Sequence, residues 1–241
     1  MAGRCSGCKS SPAEVNIEQV HRAINQKVPR KKRKKMAELA SLPNAFEGEA
    51  GLLPGWYHAF FGNQDPVTLE LGCGWGEYSI ALARRFPQRN FIGVDVKGAR
   101  LWKAATVALE QGVSNVAFLR VYADRLLQFF EEGEVEEIWL PFPDPFPKPS
   151  RARHRLTSPK YLALYRELLR PEGRVHLKTD DPGLYAYTLE TVREAGGRVL
   201  VAETRLPDLE DAADPRYICT KYERLHREQG KAIRYLCFAF V

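Results

Sequence analysis

No stretch of eighteen apolar residues occurs in this chain, and its N-terminus lacks an apolar signal core. A spanning helix and a secretory leader are therefore not expected, and a soluble, cytoplasmic protein is. Cysteine is scarce: five residues (Cys5, Cys8, Cys73, Cys219 and Cys237), odd in number and scattered, argue against a disulfide framework. Cys5-Ser6-Gly7-Cys8 is half of a zinc-site spacing, but no second pair or histidine cluster accompanies it, so no metal is expected. Internal repeats are absent. What remains, 241 residues of which 44% are hydrophobic, can bury one large α/β core.

Charge is unevenly placed. Residues 1–36 carry ten Lys and Arg against Glu14 and Glu18, a net +8, so the overall +6 leaves the other 205 residues at −2. Six consecutive cations, Arg30 to Lys35, repel one another in isolation, which predicts a flexible arm over 1–36 that orders on a polyanion, with a folded domain over 37–241. Nucleic acid fits that partner through counterion release; a solubility tail or a targeting signal is the plain alternative. A second cluster, Lys148, Arg151, Arg153, His154 and Arg155, makes two basic patches on an otherwise acidic body.

Beyond the arm, Lys34 to Leu42 reads as a short helix, and residues 43–66 as an irregular lead-in whose Trp56, Tyr57, Phe60 and Phe61 pack on the body. Seven strands follow at 67–71, 90–96, 116–121, 136–142, 173–179, 198–203 and 233–241. Helical patterns intervene at 77–86, 98–110, 124–131, 158–170 and 182–195. Repeated βα units imply a doubly wound, mostly parallel seven-stranded sheet with right-handed crossovers. Such sheets take ligands outside the carboxyl ends of their strands. Residues 71–77, 95–98, 122–124, 142–149 and 178–182 are therefore expected to converge.

Pro141-Phe142-Pro143-Asp144-Pro145-Phe146-Pro147-Lys148-Pro149 leaves the fourth strand. Proline fixes φ and biases the preceding residue toward extended geometry, so a stiff extended strap carrying one acid and one base is predicted. The P-x-x-P spacing of proline-rich docking ligands is missing from it. Glu70-Leu71-Gly72-Cys73-Gly74-Trp75-Gly76 occupies the first strand-to-helix turn. A dinucleotide fingerprint wants its third glycine where Glu77 stands, and an acid there opposes a pyrophosphate. A nucleoside ligand without phosphates fits better. S-adenosyl-L-methionine is one, with Glu70 toward its cationic methionine part and Asp95, at the end of Phe91-Ile-Gly-Val-Asp95, toward the ribose. A tight turn and a helix cap are the plain readings of the two motifs.

With these landmarks, together with His176-Leu-Lys-Thr-Asp180 and Thr220-Lys-Tyr-Glu223, the chain from about residue 35 resembles the bacterial tRNA (guanine-N7)-methyltransferases. The resemblance implies a Rossmann-like class I methyltransferase fold, S-adenosyl-L-methionine as cofactor, and tRNA as partner, methylated at a variable-loop guanosine. It makes Glu70, Gly72, Gly74, Asp95 and Asp144 cofactor contacts, with Asp144 also the acid beside the target base. Lys148, Asp180 and Thr220, Lys221, Tyr222 and Glu223 become contacts on the RNA side. Tyr122 stands where family members often carry an acid toward the adenine; it can stack, or Asp124 can replace the acid. Pro149-Ser150 likewise replaces a common Lys-Arg pair. The family includes monomers and dimers, so either is expected here. Two rivals are a small-molecule methyltransferase, which leaves the basic run and strap unexplained, and a non-catalytic RNA-binding module, which Tyr122 keeps open.

Overall fold

A computed structural model describes residues 30–48, 51–209 and 213–240. Cys5, Cys8 and most of the expected arm lie outside them. Eight strands form one sheet: β1 (Ala45–Glu47), β2 (Val67–Leu71), β3 (Asn90–Asp95), β4 (Val116–Arg120), β5 (Val135–Pro141), β6 (Leu169–Thr179), β7 (Gly197–Glu203) and β8 (Arg234–Phe240). Their order is β1-β4-β3-β2-β5-β6-β8-β7, and β8 runs antiparallel to both its neighbours. Order reverses between β2 and β5, which pair directly through Glu70 and Trp139, so the glycine turn and the proline strap leave the sheet side by side.

Period-two alternation sends side chains to two cores. Leu69, Ile92, Leu119, Leu140 and Leu177 face the helices Pro159–Leu168 and Pro182–Glu194. Phe91, Phe118 and Trp139 face the helices Glu77–Arg85 and Gly98–Glu110. Each large apolar side chain taken out of water contributes roughly 1.5–3 kcal/mol. Alanines 104, 105 and 108 let helix Gly98–Glu110 approach closely.

The expected count of seven strands becomes eight because β1, inside the lead-in, pairs in parallel with β4. Three residues are too short to show a period, and only β4 gives them their extended form. The lead-in also holds a helix, Trp56–Phe61, whose Trp56 and Phe60 rings pack 4.3 and 5.1 Å from Phe46. Strand β6 begins at Leu169, four residues before its expected start, and shifts register near Pro171, which has no N–H to donate. The N-terminal helix spans Arg30–Leu39 and takes in the whole cationic run. It packs along helix Gly98–Glu110, with Lys35 Nζ 4.6 Å from the centre of the Trp102 ring. No helix among the described residues is long and apolar enough to cross a membrane.

Candidate active site

A cleft of about 800 Å³ opens at the reversal point, lined by the glycine turn, Lys97, Arg100, the start of the strap and a helix unforeseen from the sequence, Lys221–Glu228. One wall is backbone. Gly72, Gly74 and Gly76 all sit at positive φ (77°, 56° and 72°), and the N–H groups of Gly72 and Cys73 bond back to Val94 O. A Cβ on Gly76 would stand 2.6 Å from Ala104 Cβ and 2.8 Å from the Phe118 ring, so only glycine fits that approach. A Cβ on Gly72 would meet no atom within 4 Å, which leaves this surface open to a ligand.

Glu70 is buried at the floor. One of its oxygens accepts the Ser79 N–H at 2.8 Å and the Ser79 hydroxyl, capping the following helix. Burial pushes its carboxyl up to about 8, with the Ser79 bonds opposing. Asp95 accepts main-chain N–H groups on both oxygens, from Gly74 at 3.0 Å and Lys97 at 2.8 Å. It holds the turn, and each oxygen keeps a further lone pair. Glu77, whose acid argued against a phosphate ligand, reaches across the cleft to accept the Lys221 N–H at 2.7 Å.

The strap departs from the extended form expected of it. Phe142 and Phe146, both preceding prolines, sit at φ 53° and 39°, a conformation that costs on the order of 1–3 kcal/mol each in non-glycine residues. Tertiary bonds override the local bias. Phe142 N–H donates to Lys178 O at 2.8 Å, and Arg155 donates to Pro145 O at 2.9 Å and Phe146 O at 3.1 Å. Arg155, counted in the second basic patch, is thus turned onto the strap, its guanidinium 4.2 Å from the centre of the Tyr187 ring. Asp144 and Lys148 are exposed and make no ion pair among the described residues; Asp144 lines the cleft and Lys148 lies beyond it.

The opposite wall is the helix Lys221–Glu228. Thr220 caps it by accepting the Glu223 N–H at 3.2 Å, and Thr220, Lys221 and Tyr222 all line the cleft. Tyr222 is 49% exposed, its ring 4.1 Å from that of His226 and 5.2 Å from that of Phe142. Glu223, expected on the RNA side, is 1% exposed with both oxygens engaged, one by Lys178 and one by Arg227. Asp180 also lies outside the lining. Burial would raise its carboxyl, but hydrogen bonds from Lys231 (2.9 Å) and His226 (2.7 Å) outweigh that and hold it below the usual range. Tyr122 is 64% exposed and outside the lining, and Asp124 is paired with Lys160 at 2.6 Å. Among the described residues no cluster of His, Cys, Asp and Glu could hold a metal.

Sequence reasoning gave no individual role to Lys178, Arg227, Trp75, Lys97, Arg100 or Arg224, although Trp75, Lys97 and Lys178 lie in segments it expected to converge. The helix at 221 had one readable signal, the Thr-x-x-Glu pattern of a capping box. Its buried face holds Glu223 and His226, so apolar periodicity could not reveal it.

Known proteins bear on this geometry. A family model described as "Putative methyltransferase" matches residues 64–236. The tRNA (guanine-N(7)-)-methyltransferase of Porphyromonas gingivalis is 45% identical over 194 residues, covering 76% of this chain and 75% of its own. That of Bacteroides fragilis is 41% identical over 215 residues, 86% of this chain and 84% of its own. Among solved structures, the 16S rRNA methyltransferase KamB superposes with a TM-score of 0.58 over 77% of this chain and 93% of its own, at 18% identity. The cyclase SpnF reaches 0.51 over 73% and 74%, also at 18%, so likeness at this level speaks for the fold alone. By the family model and the extent of identity with these relatives, the chain belongs to the tRNA (guanine-N7)-methyltransferase family.

Proposed function

We infer that the protein transfers a methyl group from S-adenosyl-L-methionine to N7 of a guanine in tRNA, forming 7-methylguanosine, and that the guanine lies in the variable loop. The observation that carries this reading is the meeting, in one cleft, of the open glycine turn, the exposed Asp144 carboxylate and the Thr220–Tyr222 wall, in a chain with the relatives above. The fit to the cofactor is chemical. Gly72 leaves its surface free, and Glu70 is a buried acid whose ionised form a cationic ligand would favour. When bound, S-adenosyl-L-methionine supplies an electrophilic methyl group on its sulfonium.

Glu70, Gly72, Gly74 and Asp95 hold the cofactor in this reading. Tyr122, exposed at the end of β4, is free to stack on a flat ring. Guanine N7 carries an available lone pair, so no residue need remove a proton first, and alignment of the two bound reactants does most of the work. Methylation leaves the guanine cationic. Asp144 stabilises that charge from the strap and is the catalytic residue we assign. Tyr222 offers a half-exposed ring for the base, with Thr220 and Lys221 beside it.

Lys148, Arg153 and the basic helix Arg30–Leu39 supply phosphate contacts. The arm over 1–36 and the catalytic domain over 37–241 divide these tasks, and Lys35, packed on Trp102, joins the two. A tRNA substrate is met in the cytoplasm, the compartment we assign. The decisive experiment is methyl transfer onto transcript tRNA, with mapping of the modified base. Asp144→Ala should lower turnover by about a hundredfold or more while leaving RNA affinity within a few-fold; near-normal turnover would remove Asp144 from the mechanism.

A further inference from the structure

Lys178 is an unusual residue to find at 0% exposure, since a lone ammonium is among the most costly groups to bury. Its Nζ donates to Glu223 Oε2 at 2.6 Å and to Ile218 O at 2.9 Å, and faces the Tyr78 and Phe142 rings with their centres at 5.5 and 5.9 Å. Glu223 Oε1 accepts both Nε (3.0 Å) and Nη2 (2.7 Å) of Arg227. Arg227 donates onward to Leu206 O and Pro207 O. Burial lowers the Lys178 ammonium, and the Glu223 carboxylate opposes this.

The same residue touches both sides of the cleft. Through its main-chain oxygen Lys178 accepts the N–H of Phe142, the residue where the strap turns into the left-handed region. Through its side chain it holds Glu223, one residue past Tyr222. No other described residue bonds to both the strap and the helix Lys221–Glu228. Glu223 is 1% exposed and outside the cleft lining, with both oxygens turned toward Lys178 and Arg227, so it is out of reach of a base edge.

We propose that Lys178 and Glu223 form a positioning pair that sets the spacing between the Asp144 strap and the Tyr222 helix, and that Glu223 does not touch the guanine. The proposal rests on the reading that the guanine is methylated in this cleft.

A double-variant cycle tests it. In Glu223→Gln, Lys178 and Arg227 face a neutral amide, so the wall shifts: KM for tRNA is expected to rise by about tenfold or more. Adding Lys178→Met removes the stranded ammonium, leaves Gln to accept from Arg227, and should return KM and turnover to within about fivefold of wild type. The stoichiometry of S-adenosyl-L-methionine binding, read by calorimetry, counts the folded fraction, so loss of folded protein lowers apparent kcat without moving KM. A group that bonds the base would not be restored by a change at Lys178. A double variant that binds cofactor stoichiometrically yet stays a hundredfold down in turnover overturns the proposal. Should Glu223→Gln fail to fold, the double variant alone decides by the same criterion. Failure of the functional reading is separate, because it would appear as a wild-type protein that does not methylate tRNA.

Discussion

The glycine-turn wall of the cleft is made of backbone and one buried acid, whereas the facing wall is a short helix hung on buried side-chain charges. In the first wall, conformation is local: three glycines at positive φ, a strand before and a helix after. In the second, the residues that matter come from 178, 206, 218 and 227, remote from one another along the chain. Sterics govern the first and desolvated charge the second, so the two walls should respond to different perturbations.

The largest effect is expected at the first wall. Gly76→Ala imposes both a left-handed alanine and a clash with Ala104 and Phe118, at a cost of about 2–5 kcal/mol. Urea unfolding measures it, and a loss below about 1 kcal/mol would mean that the helix can move aside. The next effect is a pH dependence seated in Glu70. Unfolded, its carboxyl releases a proton near 4.5; folded, it holds the proton to about 8. Between those values the folded state binds more protons, so this group's contribution to stability is present below about 4.5 and declines as pH rises toward 8. Denaturant midpoints across that range should flatten in Glu70→Gln. S-adenosyl-L-methionine binding near neutral pH should release protons in the wild type and not in that variant, as calorimetry in buffers of differing ionisation enthalpy would show.

The smallest effect belongs to the second wall. Thr220→Ala removes one cap bond and is expected to cost about 1 kcal/mol, because the Glu223 network still holds the helix. A loss comparable to that of Gly76→Ala would show instead that the cap carries the wall, and the contrast between the two would fall.

Much of the first wall is legible in the amino-acid sequence. Strand β2, the glycine turn and Asp95 follow one another along the chain, and each local preference agrees with the fold. Helix Gly98–Glu110 matches its expected bounds because its buried alanines and Leu101 recur at helical spacing. The second wall resists for the converse reason. Its helix buries Glu223 and His226, and the pairing of Glu223 with Lys178 spans 45 positions, which no local window sees. Strand β1 is hidden by its length. The strap is readable as rigid but not in shape, since pre-proline bias favours extension and the bonds to Lys178 O and from Arg155 favour the turned form.

Those turns have a thermodynamic consequence. Five prolines and two residues pinned at unfavourable φ leave the segment around Asp144 few alternative shapes, so its conformational entropy is surrendered while the chain folds. The carboxylate is therefore ordered before a nucleic acid arrives, and the free energy of RNA association is not drawn down to arrange it. On the role proposed for Asp144, encounter with tRNA then discriminates by the fit of the nucleotide to a standing site rather than by the ability to induce one.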